Sequence, residues 1–192
     1  MNFTALSTLQ IGIFVAIVVL VIVGVVISVL VSKRRTARLR GQFGGAEYTR
    51  AVREGGSRKK AEAALDERAD RVERFNIRPL GPNDRARFVE SWTRVQSRFV
   101  DAPGGAVIEA DQLLGDVMAA RGYPVSNFEQ RAADISVDHP LVLENYRAAH
   151  DIALLQTRGQ ASTEDLRQAM IHYRTLFDEL VGEPEAAHAQ HA

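Results

Sequence analysis

The chain has 192 residues, 24 Lys plus Arg against 24 Asp plus Glu, and no cysteine, which excludes disulfides, thiolate metal sites and cysteine nucleophiles. That length holds one ordinary domain with some chain to spare. The balanced charge hides a segregation that marks a membrane or nucleic-acid contact: residues 1–32 carry none, 33–60 hold ten basic side chains against Glu47 and Glu54, and 61–192 hold 14 Arg against 22 acidic residues.

From Ile11 to Val31 the chain runs for 21 residues without a charge or a proline. As a helix it is roughly 31 Å long, which matches a hydrocarbon core of about 30 Å. A cleaved signal peptide would need a basic N-terminal region, but residues 1–10 have no Lys or Arg, and Ser-Lys-Arg-Arg follows Val31 in place of a cleavage site. The expectation is a retained single span after a short tail, 1–10. Basic residues follow the span and none precedes it, so the positive-inside rule places the N-terminus outside and the C-terminal part in the cytoplasm, at the inner (plasma) membrane. Gly12 and Ala16, then Gly24 and Ser28, have the four-residue spacing of a helix-dimer seam, which leaves a homo-oligomer through the span open.

Lys33, Arg34, Arg35, Arg38 and Arg40 fall where anionic lipid headgroups lie, and each basic residue there contributes about 1 kcal/mol of attraction. The lipid bilayer and its anionic headgroups are therefore expected partners. Nucleic acid is not, because Phe43 and Tyr48 are the only aromatics for stacking in this neck and no binding fold is visible. Residues 41–57 include Gly41, Gly44, Gly45, Gly55 and Gly56, so 32–57 reads as a basic juxtamembrane segment and flexible tether. Seventeen such residues reach roughly 23 Å.

The remainder, 58–182, reads as all-α, a bundle of about five helices. Residues 58–75 are rich in helix formers, with Leu65, Ala69, Val72 and Phe75 on one face and Glu67–Arg71 and Asp70–Arg74 as i,i+4 pairs. After the break at 76–82, Asn83 is placed to cap a helix whose Phe88, Trp92, Val95 and Phe99 form one apolar stripe. A helix over 106–121 ends at Gly122, with Pro124 just beyond. A short helix over 128–135 precedes a long one opening at Asp138 and closing at Gly159. Ser162 and Asp165 have capping-box spacing before the clearest stripe in the chain: Leu166, Met170, Tyr173, Phe177 and Leu180. The tail, 183–192, reads as disordered.

No nucleotide-binding loop, no nucleophile elbow and no H-E-x-x-H motif occurs, so no catalytic residue, metal ligand or cofactor is assigned. Trp92, His139, His150 and His172 are the candidates for an interhelical pocket, and His188 and His191 in the tail have ligand-like spacing without a fold to hold them. The phrases over 94–124, 138–150 and 162–180 resemble a widespread uncharacterised bacterial family of single-span membrane or envelope proteins with a helical C-terminal domain; the resemblance implies an address and no activity. LemA-type proteins share the plan of an early span and a helical bundle, a likeness of architecture alone. The expected function is a membrane-tethered, non-enzymatic interaction module near the inner membrane face, with a protein partner. The alternative is a membrane-anchored helical domain that binds a small ligand or a metal, with an enzyme included in that class.

Overall fold

The computed structural model describes residues 8–182, with side chains from Phe14 onward. The expectations for 1–7 and for the tail 183–192, including His188 and His191, lie outside the described residues. Among these residues there are seven helices and no strand: α1 (Thr8–Gly55), α2 (Arg58–Glu73), α3 (Pro82–Asp101), α4 (Pro103–Ala120), α5 (Phe128–Asp138), α6 (Pro140–Thr157) and α7 (Thr163–Gly182).

The tether expected over 41–57 is helical instead as far as Gly55. What breaks it is one residue. Gly44 (φ 73°, ψ 162°) adopts a backbone conformation that only glycine takes readily, and it divides α1 into a long arm, 8–43, and a short arm, 45–55. In an unbroken helix Thr36 and Tyr48 would stand about 18 Å apart along the axis. Yet the Thr36 and Tyr48 hydroxyls both donate to Glu62 Oε1, at 2.6 and 2.8 Å. The short arm therefore doubles back along the long one. At Gly55–Gly56 (Gly56 φ 68°) the chain reverses again, and Ser57 caps α2 by accepting from the Lys60 N–H. Leu39, Phe43, Tyr48 and Leu65 close a small apolar cluster between these three helical pieces. That cluster straddles the domain boundary expected at residue 58.

The main core draws on Leu80 through Val181 and takes nothing from α1 or α2. The two stripes read from the sequence meet here: Trp92 of α3 stacks on Phe177 of α7, with centroids 4.8 Å apart. All five stripe residues of α7 are buried. The capping box of α7 forms, with the Asp165 N–H donating to Ser162 Oγ and the Ser162 N–H to the Asp165 carboxylate. Gly122 (φ 101°) ends the turn after α4, where a β-carbon would meet the Asn76 carbonyl oxygen at 2.2 Å, so no other residue fits. The preceding Arg121 is fully buried and donates from Nη1 to the Leu180 carbonyl, at the electronegative end of α7.

Several local expectations are corrected. Six helices follow α1, not about five. Gly81, two residues ahead of the expected Asn83, is the N-cap of α3, and α4 begins at Pro103 because proline needs no N–H in a first turn. Asp138 is the last residue of α5 rather than the cap of α6, and its carboxylate accepts from the Tyr123 hydroxyl at 2.8 Å. Arg71 does not serve Glu67; it donates from Nε and Nη2 to Asp134, because a buried carboxylate on a neighbouring helix binds it better than an exposed one on its own.

Candidate membrane interface and interior polar cluster

Every residue from Phe14 to Val31 is exposed, and no part of the fold packs on this arm, which is long and apolar enough to cross a membrane. An uncovered apolar surface of this extent needs a non-aqueous neighbour. Just past it, the five candidate basic residues divide by what they touch. Arg35 and Arg38 both pair with Asp66 of α2. Arg40 lies over the Tyr48 ring, 4.8 Å from its centroid. Lys33 and Arg34 are exposed and make no ion pair among the described residues.

Folding back adds cations that a linear reading of the neck places far from the apolar arm. Arg58 lines one cavity with Ser28, Val29 and Ser32, so the start of α2 stands level with the last turn of the apolar stretch. Lys59 lines an adjoining cavity with Ser28 and Val31; like Arg53 and Lys60 it is exposed and makes no ion pair among the described residues. Two pairs of adjacent glycines eleven residues apart, Gly44–Gly45 and Gly55–Gly56, are the sequence signal for this pair of corners. Glu62 lines that adjoining cavity with Arg58 and Lys59. Burial pushes its carboxyl up, but hydrogen bonds from Thr36 and Tyr48 and the charges of Arg58 and Arg35 outweigh that and hold it below the usual range.

The hairpin joins the bundle through buried ion pairs. Glu47 is 4% exposed and accepts from Arg68 at 2.6 Å and from Arg147 of α6 at 3.3 Å. Arg68 also donates to Ser136 Oγ. Beside them Asp134 accepts from Arg71 and from Gln130. Pairs this buried cost nearly as much desolvation as they return, so they fix a unique docking geometry more than they add stability.

The four residues read as a possible pocket are not brought together. Trp92 is core, stacked on Phe177. His139 faces Glu179 across the α5–α6 corner at 3.2 Å, and His172 bonds Asn145 at 2.8 Å. His150 stacks on Phe128 and lies 3.7 Å from Asp111. Among the described residues, no three of His, Asp and Glu converge where a metal ion could sit.

His150 does belong to an interior cluster that the sequence does not announce. Asp111 of α4 accepts from the Tyr173 hydroxyl at 3.1 Å and pairs with Arg131 at 3.4 Å. Burial raises the Asp111 carboxyl, but His150, Arg131 and Tyr173 together hold it below its ordinary value. Burial, reinforced by the Asp111 charge, pushes the phenols of Tyr146 and Tyr173 well above theirs. A phenol raised in the fold favours the native state while it stays protonated, and this contribution is lost as pH rises past the unfolded value near 10. Stability is therefore expected to fall above about pH 10, by up to about 1.4 kcal/mol per pH unit for each tyrosine. Denaturation midpoints across that range, in the parent and in Tyr173→Phe, measure it; equal slopes in both would remove Tyr173 from the account.

No protein-family model, no curated protein and no solved structure matches the chain. The geometry above therefore carries the functional reading alone.

Proposed function

We propose that this protein is a single-pass membrane anchor carrying a non-enzymatic helical interaction module, with its N-terminus outside and its bundle on the cytoplasmic side of the inner membrane. The observation that carries this reading is the arm from Phe14 to Val31, apolar throughout and covered by no other part of the fold. The cations that follow it, at Lys33 and Arg34, and those returned to it, at Arg58 and Lys59, supply the orientation bias and the attraction for anionic headgroups. The doubled-back hairpin, docked through Glu47, holds the bundle near the bilayer at a set attitude instead of on a leash. Such a mount suits recognition of a protein partner that is itself at the membrane.

The protein is expected to stay with membranes through carbonate extraction. Fused after Ala192, a reporter active only after export stays silent, and one that fluoresces only in the cytoplasm lights up. The opposite pair of results would place the bundle outside. Crosslinking in native membranes followed by affinity purification identifies the partner; recovery of the protein in the soluble fraction would end this reading altogether.

A further inference from the structure

We infer that the groove between the long arm of α1 and the start of α2 is a binding site for the phosphate of an anionic phospholipid. The inference rests on the membrane placement above and adds to it a specific site, which joins Arg58 of α2 to Lys33 and Arg40 of the linear basic run.

One wall of the groove is a single stripe on α1, in which Ser28, Val29, Lys33, Thr36 and Arg40 recur at the spacing of one helix face. Arg58 closes it from the other side. The cavity measures about 540 Å³ and has no acidic residue in its lining; ligand pockets of about 300–1,000 Å³ are ordinary. Its chemistry changes along its length. Val29 lies in the last turn of the apolar stretch, where acyl carbons begin, and Lys33 stands one turn further on. Headgroups occupy roughly 5–8 Å beyond the hydrocarbon edge, which at 1.5 Å per residue spans about residues 32–36. The apolar end thus meets the acyl chains and the cationic end meets the phosphate.

Charge within the fold offsets these cations only in part: Glu62 feels the Arg58 charge and lines the adjoining cavity, which shares Ser28, Ser32 and Arg58. Asp66 is engaged by Arg35 and Arg38, and Glu62 by the Thr36 and Tyr48 hydroxyls. Lys33 and Arg58 make no ion pair among the described residues, and α2 has no acidic side chain in its first turn. Lys33 and Arg58, both lining a groove that opens at the bilayer surface, match a phosphodiester, whereas a zwitterionic lipid would bring its own cation into the same space.

The test uses the full chain in nanodiscs of phosphatidylcholine with a minority of phosphatidylglycerol. Lipid retained after detergent extraction and affinity purification is identified by mass spectrometry. The parent protein is expected to retain phosphatidylglycerol selectively, and Lys33→Glu with Arg58→Glu to reduce that selectivity about tenfold. Both side chains are exposed, so helical content should be unchanged. The equal charge change Arg87→Glu with Arg94→Glu on α3 is expected to leave retention as it was. Equal loss in both double variants, or none in either, would overturn the site while leaving the membrane reading intact. Displacement of the lipid by millimolar inorganic phosphate would reassign the groove to free phosphate and also overturn it. Failure of the parent to enter nanodiscs would overturn both.

Discussion

Replacing Phe177 with alanine is expected to destabilise the bundle by about 3–5 kcal/mol. Phe177 is 3% exposed, and its ring stacks on Trp92, a contact that adds about 0.5–1.5 kcal/mol beyond the area it buries. The stripes on α3 and α7 lose the stacked pair through which they meet. Val100, near the end of α3, is 82% exposed, and its replacement by alanine should move stability by no more than about 0.5 kcal/mol. Chemical denaturation of the chain from Lys33 onward, which keeps the hairpin cluster and omits the apolar arm, measures both. Equal effects at the two positions would mean that α7 does not present its apolar stripe to α3.

This contrast also marks what the sequence discloses well. The spacing of Phe88, Trp92 and Val95 and of Leu166 through Leu180 identifies faces that are buried, because an amphipathic helix writes its own orientation into its residue period. Gly122 and the Ser162–Asp165 cap are equally local and equally legible. Residues 41–57 are different. They carry clustered glycines and little apolar surface, so their intrinsic preference is for a loose tether. Their helicity depends on contacts distant in sequence: Phe43 and Tyr48 pack on Leu65, and Glu47 pairs with Arg147, 100 residues away. No periodicity within the segment encodes such partners. The candidate interface was half legible for the same reason. Lys33 and Arg34 follow the apolar stretch directly, whereas Arg58 returns to it only through two glycine corners. The histidines failed as a pocket because residue type alone does not specify convergence.

The attachment of hairpin to bundle is where a single change should alter the architecture. Glu47→Ala removes the carboxylate that Arg68 and Arg147 share, leaving Arg68 (19% exposed) with only the Ser136 hydroxyl and Arg147 (12% exposed) with only the exposed Glu129 at 3.5 Å. Breaking a buried pair in this way costs about 3–5 kcal/mol, mostly the penalty of stranding charge. The loss should not be spread evenly. The core of α3–α7 takes nothing from α1 or α2, so it persists, while the short arm and α2 lose the anchor that seats them on α6. Amide hydrogen exchange should therefore accelerate over 45–73 and change little over 82–182. Removing the partner as well, in Glu47→Ala with Arg147→Ala, relieves one stranded cation, so the double variant should be less destabilised than the sum of the two single ones. Exchange that accelerates uniformly would mean the hairpin and bundle unfold as one unit, and additive losses would mean the Glu47–Arg147 pair is not coupled. The expected outcome converts a fixed mount into the loose tether that the glycines alone would suggest, and recruitment of a membrane partner should weaken with it.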